Sequence, residues 1–297
     1  MAVLGKGTAH GACSLLHAAA LGYGASLALN LKLTAKLLDK PSKRELHDDD
    51  GVLDAVLQTW LEENLPLPQG LKAQDMYWGV DSEIPPKQGL KSSSATCIAA
   101  IRALCDATST TLSPPKMVEI AAKAQLAAGV SLTGSIDDAW ACMTPGWKLV
   151  DVQAPIEDGV LVTEDIFNAD EWIVLVILRG KRDVMPTIDD FTPHLTNFQQ
   201  ALEALQHGNP LVALTCNGRG MAAVLKDIEG RKLTNDSFMN SARAAGITGS
   251  GPAIVIVVPR QQQNVVQRIK SWYSSRSSNI EILETTILDA KTEDEVE

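Results

Sequence analysis

One short segment restricts the possible folds more than any other part of the chain. A proline pair, a glycine and three consecutive serines run directly into a helix-forming stretch. Serine favours a helix N-terminus because its hydroxyl accepts a hydrogen bond from an unpaired backbone N–H group. Those first-turn N–H groups and the helix dipole form a natural phosphate site. The segment can be read as an ordinary capped helix or as a nucleotide-phosphate loop. We favour the loop because a glycine lets the backbone approach a ligand closely. Its residues are Pro85, Pro86, Lys87, Gln88, Gly89, Leu90, Lys91, Ser92, Ser93, Ser94 and Ala95.

Two further segments hold candidate functional residues. Asp137 and Asp138 are adjacent carboxylates, which in most proteins belong to a loop or a helix cap. In phosphoryl transfer, a carboxylate placed on the acceptor hydroxyl can orient it and take its proton, so this pair also suits a catalytic base. Gly249, Ser250 and Gly251 precede an apolar run, and this glycine density indicates a tight turn or a close backbone approach.

The hydrophobic pattern predicts a mixture of helices and strands. Helices are predicted over 12–21, 51–64, 93–107, 114–128, 193–207, 210–226, 236–245 and 261–274, and strands over 25–38, 172–178, 253–258 and 280–287. The continuous apolar run at 172–178 predicts a centrally buried strand. A charged connector is expected at 40–50. Because the pattern weakens between 150 and 170, we predict two domains, residues 1–160 and 161–297.

Composition and missing motifs exclude several classes of protein. The net charge is −10 and the pI is near 5.0, so a nucleic-acid partner is not expected. The five cysteines have no Cys-x-x-Cys spacing, which suits reduced thiols in a cytoplasmic protein. Glycines interrupt the apolar stretch at 11–31, so no membrane helix is expected. The motifs of P-loop kinases, protein kinases and serine hydrolases do not occur.

The segment at 85–95 resembles the central motif of the GHMP kinases, Pro-x-x-x-Gly-Leu-x-Ser-Ser-x-Ala. Its form with Lys91 is similar to that of the archaeal-type shikimate kinases. Residues 5–12 with 22–25 resemble the first motif of that branch, residues 133–139 resemble its Thr-Gly-x-x-Asp-Asp-Ala pattern, and residues 246–253 resemble the third GHMP motif. The resemblance covers nearly the whole chain, with the three motifs in order.

The resemblance implies an α+β, two-domain GHMP kinase fold. The N-terminal domain would be α/β and similar to domain 2 of ribosomal protein S5, and the C-terminal domain would be ferredoxin-like and α+β. The implied activity is transfer of the γ-phosphoryl group of ATP, with Mg²⁺, to the 3-hydroxyl of shikimate in aromatic amino-acid biosynthesis. Homoserine kinase and diphosphomevalonate decarboxylase, on the same fold, are alternatives, and so is a non-catalytic ligand-binding relative.

The resemblance also assigns roles to individual residues. Asp137 is the expected catalytic base, with Asp138 beside it as a substrate contact, although the base role remains open between the two. Lys6 and Thr8 are expected to contact substrate or phosphate. Ser93 is expected to reach Mg²⁺. ATP is expected on Pro86, Lys87, Gln88, Gly89, Leu90, Lys91, Ser92, Ser93, Ser94, Ala95, Gly249, Ser250 and Gly251.

Three questions remain open from the sequence. The shikimate carboxylate is expected to pair with an arginine because the planar guanidinium fits a carboxylate. The bulky Trp140, two residues after Asp138, stands where the family usually has a smaller residue, and its effect on the substrate pocket is the second open question. The protein is expected to be a monomer or a homodimer. The candidate arginines are Arg102, Arg179, Arg219 and Arg243.

Overall fold

The computed structural model describes residues 2–42, 50–166, 168–180, 185–276 and 280–289, which form two antiparallel sheets with helices packed on them. The strands are β1 (Val3–Leu16), β2 (Tyr23–Leu38), β3 (Tyr77–Ser82), β4 (Trp147–Asp151), β5 (Val160–Glu164), β6 (Trp172–Leu178), β7 (Ala244–Ile247), β8 (Ile254–Pro259) and β9 (Glu281–Thr285). The α-helices are α1 (Ala18–Leu21), α2 (Val52–Glu62), α3 (Ser92–Thr108), α4 (Pro114–Ala127), α5 (Ile136–Met143), α6 (Leu195–Gln206), α7 (Pro210–Val224), α8 (Ile228–Met239) and α9 (Gln263–Arg276).

The long strand β2 is the centre of the first sheet. β1 pairs with it along one edge, while the other edge is shared by β3 at residues 33–38 and β4 at residues 23–27. β5 then pairs with β4. Helices α3 and α5 pack on β1 and β2, so the starts of both helices are held against the same two strands.

The gap between β3 and β4 on β2 is filled from the far end of the chain. Leu29 bridges Ile287, and Asn30 N–H donates to the Thr286 carbonyl at 2.9 Å. Leu288 N–H donates to the Ala28 carbonyl at 3.1 Å. The segment after β9 therefore joins the second sheet to the first.

The second sheet has the strand order β7-β8-β6-β9. β6 lies between β8 and β9 and is buried along almost its whole length, which confirms the predicted central strand. Helix α7 contacts both β7 and β1 and so packs against both halves of the protein. The chain passes from one sheet to the other between Glu164 and Trp172, and a domain division at 160/161 stays a prediction. Among the helices in the described ranges, none is long and apolar enough to cross a membrane.

Most predicted elements are present, but two predictions are wrong. Residues 12–16, predicted as helix, continue β1 and pair with β2, and only α1 is helical. Both faces of this strand are buried, so its continuous apolar run has no alternation to distinguish it from a helix. The helix predicted over 236–245 ends at Met239, and its last two residues, 244 and 245, belong to β7 because pairing with β8 outweighs the helix preference of alanine. The predicted connector at 40–50 lies mostly outside the described residues.

Helix α3 lies unusually close to β1 because glycines replace side chains at the contact. A Cβ atom added to Gly5 would lie 2.2 Å from the Ala103 carbonyl oxygen, and one added to Gly7 would lie 2.2 Å from the Ala99 carbonyl oxygen. Both of these oxygen atoms belong to the helix backbone, so neither can make room unless α3 itself shifts. The glycines of the first motif therefore set the distance between β1 and α3.

We expect Gly5→Ala to lower the free energy of unfolding by about 1–3 kcal/mol, because the added methyl group must push α3 away from β1. Urea unfolding monitored by tryptophan fluorescence measures the change. Gly79→Ala in β3 is the matched control, since its nearest obstacle is the Leu38 side chain at 3.4 Å. Equal stability of the two variants would contradict the close-packing explanation.

Candidate active site

A cavity of about 760 Å³ opens where loops from both halves meet the starts of α3 and α5. Leu33, Val52, Leu53, Val80 and Ile84 contribute apolar surface to its lining. Other parts of the lining are polar and belong to the predicted phosphate loop and the acidic pair. A cavity with one apolar wall and one polar region can hold a flat ring against the apolar wall and charged groups at the polar residues.

The predicted phosphate loop does line the cavity. Gly89 and Lys91 have positive φ angles of 82° and 65°, and this turn ends where α3 begins at Ser92. The hydroxyl-bearing Ser92 and Ser93 face the cavity at the first turn of the helix, whose N–H groups have no intrahelical acceptor. The loop therefore presents backbone donors and hydroxyls to an anion.

Hydrogen bonds from both halves hold this loop in place. The Thr248 hydroxyl donates to the Gly89 carbonyl at 3.1 Å and accepts from Ser14 N–H at 3.0 Å. The Ser14 hydroxyl in turn accepts from Gly249 N–H at 3.2 Å. A Cβ on Gly89 would lie 2.1 Å from the Thr248 carbonyl oxygen, so only glycine fits. Thus Thr248 and Gly249 of the third motif fix the phosphate loop, and we call this set of hydrogen bonds the clamp.

The acidic pair stands at the first turn of α5 and meets the loop through Lys91. The Lys91 Nζ atom lies 2.8 Å from Asp138 Oδ1, and both side chains are nearly buried. The Ser26 hydroxyl donates to Asp138 at 2.8 Å and lies 3.5 Å from Asp137 Oδ2. The Asp137 carboxyl packs on Gly24, where a Cβ would lie 2.4 Å from its Cγ atom.

Burial and charge separate the two aspartates. Burial raises the pKa of Asp137 well above its ordinary value, and the neighbouring Asp138 carboxylate raises it further. Burial acts on Asp138 too, but the Lys91 ammonium and the hydrogen bonds from Lys91 and Ser26 outweigh it and lower the pKa of Asp138. For Lys91, burial favours the neutral amine, yet the carboxylates of Asp138 and Asp137 leave its pKa raised. Asp138 and Lys91 therefore form an ion pair, with Asp137 as the more basic carboxylate beside it.

Known proteins resemble this chain in sequence and in fold. The family model described as the GHMP kinases N terminal domain matches residues 51–146. A shikimate kinase of Methanocella arvoryzae is 36% identical over 275 residues, which cover 90% of this chain and 89% of its own. The chain belongs to the GHMP kinase family. Within it, the chain groups with the archaeal shikimate kinases; one from Methanothermobacter thermautotrophicus is 27% identical over 274 residues, which cover 88% of this chain and 89% of its own.

Solved structures of GHMP kinases share the fold. The mevalonate kinase of Methanococcus jannaschii superimposes with a TM-score of 0.71 at 12% identity, over 96% of this chain and 98% of its own. A homoserine kinase from Cytophaga hutchinsonii gives a TM-score of 0.63 at 15% identity, over 95% of each chain. The predicted fold class is confirmed, and the chain is an ATP-dependent small-molecule kinase by family.

The structure brings together only part of the predicted nucleotide-binding set. Pro86, Lys87, Gly89, Lys91, Ser92, Ser93, Gly249 and Ser250 line the cavity, whereas Gln88, Leu90, Ser94, Ala95 and Gly251 do not. The Ser94 hydroxyl donates to the Gln125 side chain at 2.8 Å in the core, and Ala95 N–H donates to the Lys91 carbonyl at 3.0 Å. These inner positions hold the loop and the helix rather than facing a ligand.

Lys6 and Thr8 do not line the cavity, and the substrate contacts predicted for them stay a prediction. Both are on β1 beyond the loop, where Lys6 N–H donates to the Asp106 carboxylate at 2.8 Å and the Thr8 carbonyl accepts from Arg102 at 2.7 Å. Within the described part of the lining, the four candidate arginines are absent as well. Trp140 is buried in α5 and also lies outside the lining.

Sequence reasoning missed His17, Ser26 and Thr248. His17 lines the cavity, and its backbone N–H donates to the Asn217 side chain at 3.0 Å. A lone histidine, serine or threonine in an apolar stretch carries no signal of its own. Only their position in the sequence could have pointed to a role in the site, because His17 and Ser26 lie on either side of the paired glycines of the first motif.

The cavity contains side chains that could contribute to Mg²⁺ binding. Within the described ranges, no three His, Cys, Asp or Glu side chains are grouped so as to hold a metal ion. Mg²⁺ is commonly held by one or two carboxylates together with water and substrate phosphates rather than by a protein cage. The Ser93 hydroxyl and the Asp137 and Asp138 carboxylates along one cavity fit that mode of binding.

The raised pKa of Asp137 predicts that Asp137→Asn stabilises the unliganded protein. An aspartate whose folded pKa exceeds its unfolded value, about 3.9, contributes stability below that value and loses it as the pH rises through the folded pKa. We therefore expect the variant to gain thermal stability over wild type as the pH is raised from 4 towards 8, as measured by differential scanning calorimetry.

Asp138→Asn is the matched control and should have the opposite sign. Its lowered pKa contributes stability above the unfolded value, and this stability is lost as the pH falls through the folded pKa. The substitution also leaves the buried Lys91 ammonium without its partner, which is strongly destabilising. Loss of stability at neutral pH in Asp137→Asn would contradict the assignment.

The clamp predicts a specific effect of Thr248→Val. The substitution keeps the shape but removes two hydrogen bonds, so the Gly89 turn is held less firmly. We expect a several-fold rise in the KM for ATP, little change in the KM for the acceptor, and about 1–3 kcal/mol of lost stability.

Thr234→Val in α8 provides the comparison, since its buried hydroxyl also donates to a backbone carbonyl, that of Gly230 at 2.9 Å. It should lose stability while both KM values stay unchanged. The clamp interpretation is refuted if Thr248→Val behaves in the same way as Thr234→Val.

Proposed function

We propose that the protein transfers the γ-phosphoryl group of ATP to the 3-hydroxyl of shikimate. The decisive observation is the Lys91–Asp138 ion pair, 2.8 Å long, with Asp137 beside it in the same cavity as the phosphate loop. The 36% identity to a shikimate kinase over 90% of the chain supports shikimate as the acceptor. Homoserine kinase and mevalonate kinase share the fold at 12–15% identity, which carries no information about substrate.

The nucleotide would lie along the loop. Its base would pack on the apolar wall near Leu53 and Ile84, and its phosphates would reach the first-turn N–H groups of α3. Mg²⁺ bound between the phosphates would neutralise charge that develops during transfer. In this proposal the Ser93 hydroxyl would help to hold that ion.

Asp137 is the proposed base. Burial raises its pKa, so Asp137 is a stronger base than an ordinary aspartate, which suits a group that accepts a proton during the reaction. Asp138 stays ionised and holds Lys91 at the junction of loop and acidic pair. There the Lys91 ammonium can approach the oxygens of the transferred group, where negative charge must be stabilised.

The cysteines are consistent with the proposed reaction and with its proposed location. All five cysteines are free thiols, and burial raises the pKa of Cys13 to about 12, so this thiol stays protonated at neutral pH. The free thiols support the cytoplasmic location that we propose.

The acceptor is tested by a panel of shikimate, homoserine and mevalonate, each with ATP and Mg²⁺, using ADP release and mass spectrometry of the product. We expect phosphorylation of shikimate alone. Asp137→Asn should lower its turnover by about 10²–10⁴-fold with little change in ATP affinity, because the amide cannot take the proton.

Phosphohomoserine as the product, or no turnover of shikimate, would refute the proposed acceptor. An Asp137→Asn variant with normal turnover beside an inactive Asp138→Asn variant would move the base to Asp138. Full activity of both variants would mean that positioning and electrostatics alone carry the reaction.

A further inference from the structure

A second, smaller cleft lies in the other half of the protein, away from the kinase cavity. It has a volume of about 350 Å³ and is lined by Asn197, Arg219, Ala223, Arg231 and Asn235. None of these residues lines the kinase cavity. The cleft is therefore a separate feature of the surface.

Three helices converge to make this cleft. Arg219 and Ala223 are four residues apart on α7, and Arg231 and Asn235 are four residues apart on α8. Residues with this spacing lie on one face of a helix, so each helix turns a guanidinium group towards the cleft. Asn197 on α6 adds an amide from the third side.

The four polar side chains of the cleft have no partners among the described residues. Neither a hydrogen bond nor an ion pair links them to any part of the protein that the structure describes. Two other arginines in the same half are paired, Arg179 with Asp227 and Arg276 with Asp236. Arg219 and Arg231 are exposed and share one cleft, which distinguishes them from Arg243, an exposed arginine outside it.

Two guanidinium groups that line one cleft favour an anion between them, because its negative charge is attracted by both. The guanidinium fork donates two parallel hydrogen bonds to a phosphate or a carboxylate, and the asparagine amides add neutral donors. Within the described part of the lining there is no carboxylate to compete for these donors. The volume exceeds that of a bare inorganic ion and leaves room for an organic group beside the small Ala223.

We propose that this cleft binds a small organic oxyanion, a phosphate monoester or a carboxylate, through Arg219 and Arg231 with Asn197 and Asn235 as supporting donors. The ligand would neutralise both guanidinium groups and join α7 to α8. This site is independent of the proposed kinase reaction, because its residues contact neither the phosphate loop nor the acidic pair.

Binding is tested with three probes of one carbon skeleton: glycerol 3-phosphate, glycerate and neutral glycerol. The full-length protein is first saturated with Mg²⁺ and a non-hydrolysable ATP analogue, so that the kinase cavity does not contribute. Isothermal titration at constant ionic strength measures affinity, and the ¹⁵N side-chain amide signals of Asn197 and Asn235 report the location.

We expect saturable binding of at least one of the two anions and none of glycerol. Arg219→Gln and Arg231→Gln should each weaken binding by about tenfold or more, since each removes a charge-assisted hydrogen bond. Arg243→Gln is the matched control, because it removes the same charge from another exposed arginine outside the cleft. It should leave the affinity unchanged.

The results separate the two ligand types. Tighter binding of glycerol 3-phosphate assigns the site to phosphate monoesters, and tighter binding of glycerate assigns it to carboxylates. Absence of saturable binding of both anions would overturn the proposal. It would also be overturned if Arg243→Gln weakened binding as much as Arg219→Gln, since the effect would then be one of general surface charge.

Discussion

The ion pair between Lys91 and Asp138 is the contact on which the rest of the site depends. It is 2.8 Å long, nearly buried, and links the start of α3 to the start of α5. Removing one member of such a pair typically costs about 3–5 kcal/mol, because the remaining charge is left in a medium of low polarity. By keeping Asp138 ionised, the pair also holds a negative charge next to Asp137. The raised pKa of Asp137 therefore comes first from its burial and then from the Asp138 carboxylate that the pair keeps ionised.

The pair stands on a framework assembled from both halves of the chain. Gly89 is pressed against the Thr248 carbonyl oxygen, and Ser14 connects the same threonine to β1. Helix α7 packs on β7 and on β1, and its Asn217 receives the backbone N–H of His17 at the cavity edge. A phosphate loop in a single small domain would lack this support. Here contacts from both halves of the chain fix the turn, so its backbone donors are already in position before a ligand binds.

Sequence reasoning succeeded where local chemistry determines local structure. The run from Gly89 to Ser94 contains its own turn and helix signals, and α3 begins at Ser92 as these signals require. The apolar run of β6 was equally clear because a central strand is buried on both faces. For the same reason, residues 12–16 were misassigned, since a strand buried on both faces has no alternation to separate it from a helix.

Contacts between distant residues were beyond the reach of the sequence. Nothing near Gly24 indicates that the Asp137 carboxyl lies against it, and nothing near Ser94 indicates that its hydroxyl points to Gln125 instead of the cavity. Lys6 was assigned to the site by its place in a motif, but it does not line the cavity. The arginines were considered for their chemistry alone, although Arg102 is engaged by the backbone carbonyls of Thr8 and Met143.

The segment that closes the gap on β2 has a consequence for synthesis of the chain. Residues 28–30 emerge from the ribosome early, whereas their partners at 286–288 emerge last among the described residues. Until then, the middle of β2 exposes backbone donors and acceptors on an open strand edge, which is a template for wrong pairing with other chains. Completion of the first sheet therefore has a very long loop to close, and such non-local closure slows folding. In a nascent chain of this protein, the open edge of β2 therefore needs protection until residues 286–288 pair with it.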